Sequence, residues 1–158
     1  MKNVRLGIMA VALMAGCSTA HAKSVSAADP QGILTAVKAQ GYRAELTQND
    51  AGETVIKAGT NTIVFSISFF GCVEHVNCSK LVFSSKFKAP NKVTAATAEK
   101  FNRMNRYLRA FVTESGVAFT AMSIFAGAKD GLSEIQFAYD LLIFERGLKA
   151  FIAMHSDG

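Results

Sequence analysis

From Thr62 to Phe70 the chain alternates: Ile63, Phe65, Ile67 and Phe69 fall on one face of an extended segment, Val64, Ser66 and Ser68 on the other. Lys80 to Phe87 repeats the pattern, with Leu81, Phe83 and Phe87 set against Val82, Ser84 and Lys86. Strands that bury one side only belong to an antiparallel sheet covered on a single face, so the rest of the chain has to supply that cover.

Three segments can do so. Asp29-Pro30 opens a helix running to about Gln40: the Asp accepts from free backbone amides, the Pro fits the first turn, and Gly41 permits a left-handed ending. A second helix is predicted from about Ala95 to Arg106, without a distinctive cap, with Ala98, Phe101, Met104 and Asn105 on its inner side. The third is the best marked. Leu132-Ser133-Glu134-Ile135-Gln136-Phe137 carries a capping box (Ser133 with Gln136) and a hydrophobic staple (Leu132 with Phe137), opening a helix to about Met154. Short strands fill the intervals: Tyr42 to Thr47 and Glu53 to Ala58 around Asn49-Asp50-Ala51-Gly52, then Tyr107 to Glu114 and Val117 to Ile124 around Ser115-Gly116. The expected fold is a single α+β domain of two layers, an antiparallel sheet packed by helices in the order α-β-β-β-β-α-β-β-α.

The first 22 residues read as an export signal. Lys2 and Arg5 form the charged start, Leu6 to Ala15 the apolar run, and Ala20-His21-Ala22 a small-x-small cleavage site. Ten apolar residues at 1.5 Å each reach about half of a roughly 30 Å hydrocarbon core, too short for a span. Leu13-Met14-Ala15-Gly16-Cys17 also looks like a lipobox, which would place a lipid anchor on Cys17, although Met14 stands where that motif prefers Leu. The domain would then be residues 23–158, periplasmic or secreted, or an outer-membrane lipoprotein in the alternative. Formal charge falls from +5 to +3 once Lys2 and Arg5 are removed, too weak a balance to argue for nucleic acid.

Export by either route leaves two thiols, Cys72 and Cys78, bracketing Val73-Glu74-His75-Val76-Asn77. Hairpin geometry in an oxidising compartment suits a structural bridge. A redox pair would favour Cys-x-x-Cys at a helix start, and a closed zinc site built on Cys72, His75 and Cys78 would need a fourth ligand. These remain the alternatives. Catalytic signals are weak: outside the signal segment there are two His, His75 and His155, with no nucleophile elbow, His-Glu-x-x-His or phosphate loop, and Gly127 to Gly131 reads as a turn. Lys100, Arg103 and Arg106 make a positive stripe that a solvated helix face explains equally well as an anionic partner would. Asn102 and Asn105 share a side of their helix and are expected to tie it to the strand entering at Tyr107. In the last helix, Phe137, Leu141, Phe144, Leu148 and Phe151 form the stripe that faces the sheet. Ile135, Tyr139, Leu142 and Ile143 lie elsewhere around the cylinder, a surplus that another helix of the domain would cover as well as a partner would; of these, Tyr139, Leu142 and Ile143 are the candidate partner-binding residues, for another protein or for a second copy.

From about Ile33 to Phe151 the chain resembles the YbjN-domain family of bacterial sensory-transduction regulators, whose fold is similar to type III secretion chaperones. The resemblance rests on Gly41-Tyr42 after the first helix, Asp50-Ala51-Gly52 in the first turn, and the Cys72 to Cys78 pair after an apolar strand. It continues in Phe101-Asn102-Arg103-Met104-Asn105, which looks like the family's Asn-x-x-Asn helix, with Met104 where the family usually carries Trp. It implies a chaperone-like, protein-binding or regulatory module with no catalytic residue and no cofactor, and a thiol-redox or metal-binding protein centred on the cysteine loop is the competing expectation.

Overall fold

The structure, a computed structural model, describes residues 24–88, 93–114, 116–127 and 131–156. The expected export segment, Cys17, Ser115 and the middle of the Gly127 to Gly131 turn lie outside the described residues. Eleven elements follow one another: β1 (Ser24–Val25), α1 (Pro30–Ala39), β2 (Arg43–Gln48), β3 (Thr54–Gly59), β4 (Val64–Phe70), β5 (Lys80–Lys88), α2 (Ala95–Met104), β6 (Arg109–Val112), β7 (Val117–Phe125), β8 (Leu132–Ser133) and α3 (Glu134–Ser156). The expected order holds, with the two-residue pair β1·β8 added in front of α1 and α3.

Six strands form one antiparallel sheet in the order β2-β3-β4-β5-β7-β6. Register keeps the predicted faces together: Ile67 is opposite Phe83, and Phe83 opposite Met122. All three are buried, whereas Val64, Phe70 and Phe125 on the other face are exposed. One layer of helices therefore covers one face, as the alternation requires.

The cover is built on phenylalanine, of which the chain has 12 against no Trp. Phe144 of α3 sits with its ring centroid 5.5 Å from Phe65 and 5.6 Å from Phe83. Phe65 continues to Tyr42 at 5.4 Å, and Phe83 to Phe137 at 6.0 Å. Further along α3, Phe151 lies 5.8 Å from Phe87 and 4.8 Å from Phe101 of α2, joining the two helices over the sheet. Edge-to-face and tilted contacts of this kind add to what burial alone contributes. Gly147 lets α3 approach Leu108, whose Cδ2 would be 2.7 Å from a Cβ at that position.

Helix boundaries follow local chemistry. Asp29 Oδ1 accepts from the Gly32 amide at 2.9 Å, and Gly41 takes φ 85° after α1. Ser133 Oγ accepts from the Gln136 amide at 3.1 Å, but the Gln136 side chain donates forward to Asp140 Oδ1 at 2.9 Å, so the expected box is half of one. The complete box belongs to α2: Thr94 and Thr97 exchange side-chain to backbone bonds at 3.3 and 2.9 Å, because a second Thr can do what Glu or Gln usually does. Two readings of α2 need correction. It ends at Met104, since Asn105 is extended, and Met104 points outward at 60% exposure, leaving Ala98 and Phe101 as the buried pair. Arg106 thus falls beyond the helix, and Arg103 pairs with Glu99 at 2.5 Å on the surface. Among the described residues no helix is long and apolar enough to cross a membrane.

Candidate functional site

Two places gather the residues with functional potential. The first is the cysteine ring. Cys72 and Cys78 are bonded, S–S 2.06 Å, with Cα atoms 3.8 Å apart. Inside the ring Val73 and Val76 exchange both backbone bonds, at 2.8 and 2.9 Å, so Glu74-His75 forms a two-residue hairpin turn. Both central residues take positive φ, 50° and 65°, and Asn77 follows at 50°. Positive φ at both positions is what a primed turn matched to strand twist demands, and Asn-Gly meets it far more easily than Glu-His. The ring holds backbone that its own residues disfavour. A cavity of about 290 Å³ lies between it and the start of α1, lined by Pro30, Glu53, Phe69, His75 and Cys78 among others. The bonded sulfurs leave no thiolate for a metal, and among the described residues no group of three or more His, Cys, Asp or Glu is placed to hold one.

Closing seven residues stabilises the fold by roughly 2 kcal/mol in the chain-entropy model, and opening the ring also relaxes the strained turn. Replacing both cysteines by Ser is therefore expected to cost about 1 to 2 kcal/mol in urea denaturation. Glu74→Asn with His75→Gly in the oxidised protein should instead stabilise it, by about 1 kcal/mol.

The second place is the outer side of α3. At 100° per residue, Ile135, Tyr139 and Leu142 fall within one narrow arc opposite Phe144. All three are exposed, Ile135 most of all at 83%. Ile143, grouped with them by sequence, is turned aside, partly buried and packed against the core. Ile135, outside the candidate trio but spaced four from Tyr139, belongs to the same exposed arc. Beside the ridge, Gln40, Tyr42 and Glu145 join Ile135, Tyr139 and Leu142 around an open groove of about 390 Å³.

The polar wall of that groove is a short chain of bonds. Tyr42 Oη donates to Glu145 Oε2, and Lys149 Nζ lies 2.5 Å from Glu145 Oε1. Lys149, then the Tyr42 hydroxyl, hold the Glu145 carboxyl below its ordinary range. Burial first, then the Glu145 bond and charge, push the Tyr42 phenol well above its ordinary 10.0. A phenol more basic in the folded state contributes stability that is present below about pH 10 and lost as pH rises past it. Tyr42→Phe should therefore flatten the alkaline limb of a stability-pH profile measured by chemical denaturation. The depressed carboxyl acts at the other end: Glu145→Gln should reduce the loss of stability as pH falls through the acid range.

Asn102 and Asn105 part company. Asn102 Nδ2 donates to the Ala110 carbonyl at 2.8 Å, and its Oδ1 accepts from the Ala110 amide at 2.7 Å, tying α2 to β6. Asn105 donates back to the Phe101 carbonyl at 3.2 Å. Arg109 Nη1 donates to the Asn102 and Asn105 carbonyls at 3.2 and 3.1 Å, closing the C-terminal end of α2.

No curated protein sequence matches the chain. The crystal structure of YbjN, "a putative transcription regulator from E. coli", superposes with a TM-score of 0.60 at 12% identity, covering 82% of this chain and 92% of that one, which is a likeness of fold. The sequence profile described as "YbjN: Putative bacterial sensory transduction regulator" matches residues 29–154, from the Asp29 cap to the last turns of α3. That match takes in the whole six-stranded sheet, α1, α2, all but the last two residues of α3, the cysteine ring, Asn102 and Asn105, and on it the chain belongs to the YbjN family.

Proposed function

We propose that the protein is an exported, non-enzymatic binding module of the bacterial cell envelope that acts by docking a protein on the ridge of α3. The observation that carries this reading is the exposed run Ile135, Tyr139 and Leu142 on the side of α3 turned away from its core stripe. Three large apolar side chains in one arc exceed what a solvated helix face needs, and burying them would contribute at about 25 cal/mol per Å². The groove beside them adds a polar wall in Tyr42 and Glu145 that can orient what docks. Membership in a family of regulators supports action by binding. The bonded cysteines and the segment before Lys23, with its charged start and small-x-small site, support export. The thiol-redox alternative draws less support, because no helix begins at either cysteine to lower a thiol pKa.

A second copy of the chain is the simplest occupant of the ridge. Mass measurement across concentration is expected to show a dimer that Tyr139→Glu dissolves. A strict monomer at high concentration would remove self-association and leave only a different protein as partner. Mass spectrometry of the natural amino terminus separates cleavage before Lys23 from an acylated Cys17, and an intact Met1 would remove the export part of the reading.

A further inference from the structure

The helices cover one face of the sheet; among the described residues no element covers the other, which is electrically lopsided. On its outward positions stand Lys80, Lys86 and Lys88 of β5, with Arg43 and Lys57 toward the far edge, against a single carboxylate, Glu45, which sits opposite Lys57. The outward positions of β4, β5, β7 and β6 hold no carboxylate at all. Among the described residues both ion pairs lie on helices, Arg103 with Glu99 and Lys149 with Glu145. A modest overall charge thus conceals a basic face, and charges so placed act on a partner through their local field and not through the net sum.

The same face carries aromatics. Phe125 is 72% exposed and Phe111 50%. Lys80 Nζ lies 4.9 Å from the Phe125 ring centroid, and Lys86 Nζ 5.5 Å from that of Phe119. Each ammonium is therefore held over a ring, where the quadrupole attracts it without neutralising it. Between these groups the outward residues are short, Ser66, Ser68, Ser84 and Ser123, so nothing walls a cleft on this part of the sheet.

We propose that this face, β5, β7 and β6 foremost, binds the surface of a bilayer containing anionic phospholipid. A bilayer needs no cleft. It offers phosphates to every lysine and an apolar layer just beneath them to Phe125 and Phe111, the combination that interfacial binding uses. Lys86 and Lys88, two residues apart on one strand, stand about 7 Å from each other, so each addresses its own headgroup. A single nucleic-acid strand fits less well. Phe111 and Phe119 stack on each other, centroids 5.0 Å apart and planes 8° from parallel, so the pair stands on edge. One side of Phe119 is then occupied by Phe111 and Lys86 is held over the ring, leaving few free faces on which bases could stack. An acidic protein would need carboxylates and apolar anchors matched to these positions, whereas a bilayer presents both everywhere. The surface is separate from the α3 ridge, so both can be engaged at once.

Co-sedimentation of the purified, oxidised protein with vesicles tests this. Binding is expected to vesicles of equal parts phosphatidylglycerol and phosphatidylcholine at low salt, and not to phosphatidylcholine alone. Lys80→Gln, Lys86→Gln and Lys88→Gln together should weaken binding about a hundredfold, roughly fivefold per cation. Lys100→Gln, Arg103→Gln and Arg106→Gln together remove the same charge from the α2 region and should change binding less than about threefold. Phe125→Ser should weaken it severalfold with the lysines intact. Circular dichroism establishes that each variant is folded, which exposed positions favour. Equal binding to neutral vesicles would overturn the proposal, and so would an equal loss in the two triple variants. Tighter binding through the same lysines to an oligothymidylate strand or to polyglutamate than to vesicles would overturn it as well, naming nucleic acid or an acidic protein instead.

Discussion

Phe144→Ala is expected to destabilise the protein by about 4 kcal/mol, toward the upper end of what truncating one core side chain costs. The side chain is fully buried, and its ring stands between Phe65 of β4 and Phe83 of β5 at 5.5 and 5.6 Å. Truncation removes the apolar area, two edge or tilted aromatic contacts, and the wedge that spaces α3 from the sheet, leaving a cavity in a layer that rigid strands cannot collapse to fill. Against a total of about 5 to 15 kcal/mol for a domain of this kind, the loss should lower the melting temperature by on the order of 10 °C. Urea denaturation followed by far-ultraviolet circular dichroism measures it. Ile135→Ala, on the same helix but 83% exposed, should stay within about 0.5 kcal/mol. If the two variants lost similar stability, α3 would not pack as described.

The contrast between those two positions shows what a sequence can carry. Spacing by four and three fixed the core stripe of α3, because a helix has one geometry and Phe137, Leu141, Phe144, Leu148 and Phe151 can share only one side of it. Strand alternation fixed the sheet face in the same way: Phe65, Ile67, Leu81 and Phe83 are all buried as expected. What failed was local or depended on a third element. Met104 satisfies the inward period of α2, yet the helix ends there and the chain turns, so its side chain is left exposed. Ile143 lies only a short rotation from Tyr139, and which of the two meets solvent depends on how the flanking layer packs around α3, which periodicity does not encode. Thr94 with Thr97 was legible but lacked the acidic or amide partner by which such boxes are usually noticed. The basic face had a signal too. Lys86, Phe119 and Phe125 occupy the non-core positions of their strands, but only the pairing of β5 with β7 and of β7 with β6 places them side by side.

Charge and fold also explain each other. An antiparallel sheet with one uncovered face is exposed to unwanted pairing and stacking, and lysines on that face keep like surfaces apart. The same lysines therefore serve the solubility of the free protein and, where the sheet meets a bilayer, its attraction to an anionic surface. Edges need separate protection. At the β2 side the strand ends in polar turns, where Asn49 Oδ1 accepts from the amides of Ala51 and Glu53 at 3.0 and 2.9 Å. At the β6 side protection comes from a side chain.

That side chain is Asn102, and its replacement is the second large expected effect. Ala110 is buried and lies on the edge strand β6, paired with Thr120 on one side. On its other side both its backbone groups meet the Asn102 amide, at 2.7 and 2.8 Å, so one carboxamide takes the place of a missing neighbouring strand. Asn102→Ala leaves a buried donor and a buried acceptor without partners, each costing about 1 to 3 kcal/mol, and an overall loss of about 3 kcal/mol is expected. Asn102→Asp keeps an acceptor for the amide but sets a carboxylate against the Ala110 carbonyl, so it should not rescue. Asn105→Ala loses only one 3.2 Å bond, back to the Phe101 carbonyl in the last turn of α2, and should cost less than about 1 kcal/mol. Denaturation gives the totals, and hydrogen exchange at the Ala110 amide gives the mechanism: protection there should collapse in Asn102→Ala and survive in Asn105→Ala. Unchanged exchange at Ala110 in both would mean that β6 is sealed by packing, and the first asparagine of the helix would then have to be explained by something it binds.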